Sequence, residues 1–466
     1  MEEFDVLVIG SGSGMLVASA AVEAGYRVAL VEGGRMGGTC INVGCVPSKM
    51  LIHSADAIQT VFEANTIGVK ATVNEVDFQA IMNRMHELVT HDTKIQAEAV
   101  EATPEMKWFK EHGEFISDYT MQVGAHTIKA KVIFIASGAR TFIPPINGIQ
   151  GVDYLTSDTV LELKTQPRSI VIAGGGYIGV EYGHFFSAIG TKTTVIQRED
   201  RLLPGEEREI SDLLKMELGK YVDIFTGYDV VEVRMEGAEK TVTIQSRVDG
   251  SQSTVTAEAF MVATGRVSNA DTLHLEKTGV KLDDRGFIQV NEYLETSKKH
   301  IYAFGDAIGK QMFKHAANYE AGIVWHNSTH DHKVPMDFSA TPHGVFTYPQ
   351  IASVGLKQDE AKKHYNILVG VAYYRDTAMG AALGSPEGFV KVIVEKETGK
   401  ILGAHIIGPE ATNLIQEITN AMVTPPGDYG PIARGMHIHP ALNEVVQNAF
   451  GALIDPEHVH EHEHQH

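Results

Sequence analysis

Twice in this chain, roughly 160 residues apart, a short apolar run ends in clustered glycines and gives way to a helix. Phe4 to Ile9 reads as a buried parallel strand, and Gly10-Ser11-Gly12-Ser13-Gly14-Met15 as a turn. A helix runs on through Ala24, and Arg27 to Val31 forms the next strand, ending at Glu32. The plan repeats with strand Ile170–Ala173, the turn Gly174-Gly175-Gly176-Tyr177-Ile178-Gly179, a helix carrying Glu181, and strand Thr193–Ile196 ending at Gln197-Arg198. Glycines in such a turn let backbone N–H groups approach a pyrophosphate at the helix N-terminus, and a carboxylate about 20 residues on can bond ribose hydroxyls. Met15 departs from the usual third glycine, but strand, turn, helix, strand and acid in that order predict a dinucleotide site. Two such units make the chain an α/β protein of several domains.

Both cysteines of the 466 residues lie in Gly37-Gly38-Thr39-Cys40-Ile41-Asn42-Val43-Gly44-Cys45-Val46-Pro47-Ser48-Lys49. Thiols five residues apart close a small ring at low entropic cost, so they can alternate between dithiol and disulfide. Pro47 fits only the first turn of a helix, here predicted over Ser48 to Phe62. That puts Cys45 near a helix N-terminus, where the dipole favours a thiolate, and Lys49 one turn on adds positive charge. Two inert buried cysteines are the alternative. A zinc site is disfavoured, because two thiolates alone cannot close a tetrahedral site, and no metal is expected.

The thirteen-residue stretch resembles the redox-active disulfide signature of the flavin-dependent disulfide reductases, the class I pyridine nucleotide-disulfide oxidoreductases. The resemblance implies two Rossmann-like dinucleotide-binding domains, one for FAD and one for NAD(P), followed by a C-terminal α+β dimerisation domain. The implied divisions are 1–145 (first part of the FAD domain), 146–270 (NAD(P) domain), 271–340 (central segment completing the FAD site) and 341–453 (dimerisation domain). A His-rich tail, 454–466, carries histidines at every second position from His458 and is expected to be disordered, a tag or a metal-binding end. By the same resemblance FAD is held by Gly10, Gly12, Gly14, Glu32, Gly38, Thr39 and Lys49. Ser137 and Gly138, in the turn Ser137-Gly138-Ala139-Arg140 after strand Lys131–Ala136, join them, as does Asp306 after Ile301-Tyr302-Ala303-Phe304-Gly305. NAD(P) falls to Gly174, Gly176, Tyr177, Ile178, Gly179, Gln197, Arg198 and Gly265, the last in Met261-Val262-Ala263-Thr264-Gly265-Arg266. NADPH is favoured over NADH, because Gln197 stands where NAD-selective members have a carboxylate and Arg198 and Arg201 suit a 2′-phosphate.

The resemblance also assigns chemistry. Cys45 would adjoin the flavin and Cys40 would face the substrate. His439, in His437-Ile438-His439-Pro440, would be the base that manages the exchange proton, and Glu444 would orient it. This histidine would serve the other subunit's site, so a homodimer with shared active sites is implied, with His437 structural. Lys49 and Glu181 would pair beside the flavin, and Tyr177 resembles the aromatic gate of glutathione reductase. Dihydrolipoamide dehydrogenase is the first reading of the substrate, with a possible lipoyl-bearing protein partner. An NADPH-dependent reductase of a low-molecular-weight disulfide, like mycothione or glutathione reductase, is the alternative. Mercuric reductase and a flavin-bound electron carrier stand further off.

The formal net charge of −20 argues against nucleic-acid and anionic-membrane partners. No signal peptide or membrane-length apolar run is read, so the cytoplasm is expected. Residues 55–112 read mostly as helical scaffold, with Trp108-Phe109 near its end. Strands near 367–374, 388–395 and 400–407 are expected to alternate with helices.

Overall fold

A computed structural model of the chain describes residues 1–456. The alternating histidines from His458 onward lie outside the described residues. The elements needed below are β1 (Glu2–Ile9), α1 (Gly14–Glu23), β2 (Val28–Val31), α2 (Gly38–Asn42), α3 (Cys45–Ala64), α4 (Phe78–Glu101), β3 (Met106–Phe109), β4 (Gly113–Ser117), β5 (Thr120–Val123) and β6 (His126–Ile135). They form one sheet in the order β3-β2-β1-β6-β5-β4. β3, β2, β1 and β6 run parallel, whereas β4 and β5 fold back antiparallel on the start of β6. Val6 to Ile9 are buried, as a central parallel strand covered on both faces requires.

Residues 55–112 do not form one helical block. α3 stops at Ala64 and α4 begins at Phe78, where Asp77 caps it by accepting from the Ala80 N–H. Trp108 and Phe109 lie on strand β3, paired with Leu30 and Val31. A four-residue segment with apolar ends has too little length for a helix, and it gains a ladder partner on the sheet edge.

A second parallel sheet, in the order β10-β9-β8-β14, is built from further strands. These follow β7 (Ala139–Thr141) and comprise β8 (Ser169–Ala173), β9 (Lys192–Gln197), β10 (Val222–Thr226) and β14 (Ala259–Val262). α5 (Tyr177–Ala188) connects β8 to β9, and α6 (Arg208–Leu218) connects β9 to β10. An antiparallel layer of β11 (Tyr228–Glu236), β12 (Glu239–Ser246) and β13 (Gln252–Ala257) precedes β14. β15 (Arg266–Ser268) then pairs with β7, and β16 (Ile301–Ala303) returns to the first sheet beside the C-terminal end of β6. α7 (Lys314–Thr329) follows.

The C-terminal sheet has the order β17-β18-β21-β20-β19, from β17 (His343–Val345), β18 (Ile351–Gly355), β19 (Ile367–Tyr373), β20 (Phe389–Glu395) and β21 (Ile401–Ile407), all antiparallel. β20 and β21 form a direct hairpin rather than flanking a helix. Gly399, at φ +73, supplies the left-handed turn residue. α8 (Ala411–Val423) and α9 (Glu444–Gly451) pack on this sheet through Ile415, Ile418, Val445 and Val446. Between the layers, α3 packs against α4 and α5, with Leu51 and Ala55 buried among Met82, Met85, Val180 and Phe185. No described helix is long and apolar enough to cross a membrane.

Candidate active site

The two glycine turns are shaped by close backbone approach. At Gly10 (φ +99) a Cβ would lie 2.3 Å from the Ala136 carbonyl oxygen, and at Gly174 (φ +116) it would lie 2.2 Å from that of Ala263. Each turn is thereby pressed against the end of a neighbouring strand and presents its N–H groups outward. The two strand-end residues do the same job by different chemistry. Glu32 Oε2 accepts from Ser11 N and Oγ at 2.9 and 2.8 Å, and Gln197 Oε1 accepts from Gly175 N at 2.8 Å. Gln197 is buried and turned onto its own glycine turn, while Arg198 is exposed with Asp229 as its ion-pair partner at 3.3 Å. A Cβ at Gly179 would sit 1.8 Å from the Gly174 oxygen. Gly179→Ala is therefore expected to weaken nicotinamide-cofactor binding roughly tenfold, from about 1–3 kcal/mol of overpacking. Fluorescence titration of the purified variant checks it.

Both turns open onto one cavity of about 2160 Å³. Gly10, Gly12, Glu32, Gly38, Thr39, Cys40, Cys45, Lys49, Ser137, Gly138 and Asp306 line it, as do Gly174, Gly176, Tyr177, Ile178, Glu181, Gln197, Arg198 and Gly265. Gly14 and Gly179 do not; both serve packing, Gly14 against Val8 and Ala136. Ser137 Oγ and Arg266 Nε are buried there without a hydrogen-bond partner, although Arg266 Nε pairs in charge with Asp306 Oδ2 at 3.6 Å. Burial raises the Asp306 pKa, against the charges of Arg266 and Lys314. Unpaired buried donors beside a carboxylate, on a wall of exposed glycine backbone, suit a polyol and diphosphate, so the residues present fit a flavin dinucleotide.

The sulfur pair is held by the loop between α2 and α3. Gly44 is the N-cap of α3 and Cys45 its first residue. Asn42 locks the loop: its Nδ2 donates to the Met36 and Gly38 carbonyls at 3.0 and 2.9 Å, and its Oδ1 accepts from Thr93 of α4 at 2.9 Å. Both cysteines are free thiols, Cys40 half-buried and Cys45 open to the cavity. The two thiols perturb each other in opposite directions. The Cys40 hydrogen bond, with the Lys49 charge, draws Cys45 down to about 7 against the cost of burial. The same bond, with burial, raises Cys40. Lys49 Nζ lies 2.6 Å from Glu181 Oε2 and 4.6 Å from the centroid of the Phe346 ring, and Glu181 Oε1 accepts from Phe346 N at 2.9 Å. The packing of α3 on α5 makes this pair.

Sequence reasoning missed how Tyr177 is fixed. Its hydroxyl donates to Glu206 Oε1 at 3.1 Å. The same carboxylate bonds His343 Nε2 at 2.6 Å and accepts from Ser353 Oγ at 2.6 Å. Glu206 is 1% exposed. Burial pushes its pKa up, but His343 and Ser353 outweigh that and hold it at about 2. The Tyr177 ring neighbours Phe313 and His343, which stack on each other at 5.4 Å. No local pattern marks Glu206, because two of its partners, His343 and Ser353, lie 137 and 147 residues away.

His439 and Glu444 stand apart. His439 Nδ1 lies 2.8 Å from Glu444 Oε1, and Glu444 Oε2 accepts from Ala441 N at 3.0 Å. The bond to His439, then that to Ala441, lowers the Glu444 pKa. The base–orienter pair is thus formed, but His439 is 72% exposed and does not line the cavity of its own chain. Met436 and Ile438 beside it are exposed too. His437 instead bonds Glu417 at 2.7 Å.

Residues 4–321 match the family model described as pyridine nucleotide-disulphide oxidoreductase, and residues 341–450 match the dimerisation domain of the same family. Mycothione reductase of Mycobacterium tuberculosis is 36% identical over 470 residues, covering 97% of this chain and all of the relative. Dihydrolipoyl dehydrogenase of Bacillus subtilis is 32% identical over 96% of this chain and 97% of its own length. Among solved structures, the Cu(II) complex of the HOCl-induced flavoprotein disulfide reductase RclA from Escherichia coli superposes with a TM-score of 0.86. It is 28% identical and matches over 97% of this chain and 99% of that one.

Proposed function

Because this chain belongs to the pyridine nucleotide-disulphide oxidoreductase family, we propose that it is a homodimeric, cytoplasmic, NADPH-dependent reductase of a low-molecular-weight disulfide. The family uses FAD and NAD(P)H, and FAD, when bound, relays an electron pair between the nicotinamide and the sulfur pair. The carrying observation is geometric: Cys40 and Cys45 lie on the wall of the one cavity onto which both glycine turns open, with Cys45 the first residue of α3; in the dithiol Cys45 is the thiolate, favoured by Cys40 and Lys49, and Cys40 keeps the proton. Two electrons and one proton open the Cys40–Cys45 bond to this state. Cys40 then gives its proton to His439 of the partner subunit and attacks the substrate disulfide, forming a mixed disulfide and expelling one thiolate, which His439 protonates. The Cys45 thiolate attacks Cys40, restores the internal disulfide and releases the second thiolate, which takes a proton from solvent. Glu444 orients the imidazole and steadies its charged form. The exposed Met436 and Ile438 support docking of this segment on a second copy.

Three observations favour this substrate class over lipoamide, reversing the order expected from sequence. Tyr177 lines the nicotinamide side as a fixed aromatic, Gln197 offers no carboxylate to a ribose, and Arg198 lies exposed at the same strand end. The 36% identity to mycothione reductase points the same way. The dihydrolipoyl dehydrogenase reading keeps support from a full-length match with the Bacillus relative. A steady-state panel of lipoamide, mycothiol-like and glutathione disulfides and Hg²⁺, each with NADPH and NADH, tests it. Highest kcat/KM for a small hydrophilic disulfide with NADPH is expected; a clear lead for lipoamide with NADH would reject the proposal. Arg198→Ala should raise the KM for NADPH roughly 10–100-fold, the equivalent of a lost charged hydrogen bond, and leave NADH little changed.

A further inference from the structure

Glu206 lies on the loop between β9 and α6, and that loop is tied to the second glycine turn. The Leu203 N–H donates to the Gly175 carbonyl at 2.9 Å, and the Glu206 N–H to that of Leu203 at 2.9 Å. The carboxylate collects donors from three elements: Tyr177 at the start of α5, His343 on β17 and Ser353 on β18. Tyr177 directly follows Gly176 of the turn and stands half-buried on the cavity wall. Its ring centroid lies 6.0 Å from that of Phe313 and 5.6 Å from that of His343. Among the described residues its hydroxyl makes one hydrogen bond, the one to Glu206. Burial, and then the Glu206 charge, pushes the Tyr177 pKa up, so the hydroxyl keeps its proton and donates.

A ring on a turn that carries a dinucleotide stands either beside the ligand or across it, according to its first side-chain torsion. A hydrogen bond to a buried carboxylate fixes that choice, because it is directional and charge-assisted, and breaking it leaves Glu206 short of a donor. The carboxylate is itself held still: His343 bonds one of its oxygens and Ser353 the other, each at 2.6 Å. We propose that Glu206 is a positioning residue for the nicotinamide end of the cofactor: its carboxylate latches the Tyr177 ring against Phe313 and His343 and keeps it out of the space the nicotinamide takes beside the second turn. The inference rests on the reading of that turn as the NAD(P) site, and it holds for any disulfide substrate. Two of the three donors come from the C-terminal sheet, so that sheet helps to set how a cofactor is received on the glycine turn of another.

The test is equilibrium binding to the oxidised full-length holoenzyme, followed by calorimetry, so that no turnover enters. NADP⁺ is compared with adenosine 2′,5′-bisphosphate, which has the adenine end and no nicotinamide, and NAD⁺ is compared with ADP. Tyr177→Phe removes the hydroxyl alone. It should weaken NADP⁺ roughly two- to tenfold, the range for ordering one side chain, and leave the adenosine bisphosphate unchanged. Tyr177→Ala has no ring to stray and should bind NADP⁺ more tightly than Tyr177→Phe does. Glu206→Met should reproduce the loss seen with Tyr177→Phe, and the two changes together should cost no more than either alone. FAD content and Tm report folding of each variant; if Glu206→Met does not fold, the two Tyr177 variants decide. Unchanged NADP⁺ affinity in Tyr177→Phe, equal weakening of the adenosine bisphosphate, or a Tyr177→Ala no tighter than Tyr177→Phe would overturn the assignment. Tighter binding of NAD⁺ than of NADP⁺ to the unmodified enzyme counts instead against the cofactor choice proposed above, and the same comparison is then read with NAD⁺ and ADP. Binding of neither dinucleotide would overturn both.

Discussion

Replacing Cys40 by serine is expected to reduce disulfide turnover to background while NADPH still bleaches the bound yellow cofactor. Cys40 carries the proton in the dithiol and is the sulfur assigned to attack, whereas Cys45 has Lys49 and the helix N-terminus to hold its charge. Serine fills nearly the same space, and its alkoxide is out of reach at neutral pH, so the loop fixed by Asn42 should be undisturbed. Stopped-flow absorbance separates the two halves of the reaction. Unchanged cofactor bleaching with no substrate reduction supports the assignment of the two sulfurs. Retained turnover would assign attack to Cys45.

His439→Gln should slow exchange by roughly 10²–10⁴-fold, the range for loss of a positioned general base. Glutamine keeps a hydrogen bond to Glu444 but cannot shuttle a proton. The exposed position of His439, off the cavity of its own chain, gives a sharper form of this experiment. If the base acts across the dimer, unfolding and refolding Cys40→Ser and His439→Gln subunits together should recover activity. Each hybrid then owns one site with both groups intact, about a quarter of normal turnover on random pairing. Recovery is not expected if the histidine serves its own chain. Both outcomes are read in one disulfide-reduction assay.

What was legible in the chain is what is local in it. Each glycine turn, its strand and its helix occupy adjacent residues, so pattern and geometry coincide. The cysteine segment is equally compact, and Pro47 and Lys49 announce the start of α3. The Lys49–Glu181 pair was legible only by resemblance, because it depends on how α3 packs against α5. Trp108 and Phe109 were misread since strand β3 is four residues long, and its identity comes from its neighbour β2. Gln197, expected where NAD-selective members have a carboxylate, lends its amide oxygen to Gly175 N, a role visible only in the parallel with Glu32. Glu206 gave no signal, because it gains its meaning from groups brought in by distant segments.

The anchorage of Glu206 bears on how such a protein can be taken apart. Its carboxylate belongs to the nicotinamide half, but two of its donors, His343 and Ser353, come from the C-terminal sheet. Cutting the chain near residue 340 would leave this carboxylate with Tyr177 alone and remove the two partners that hold it ionised. The nicotinamide half is therefore not a detachable cassette, and recombination that exchanged it between relatives would have to carry the matching histidine and serine with it.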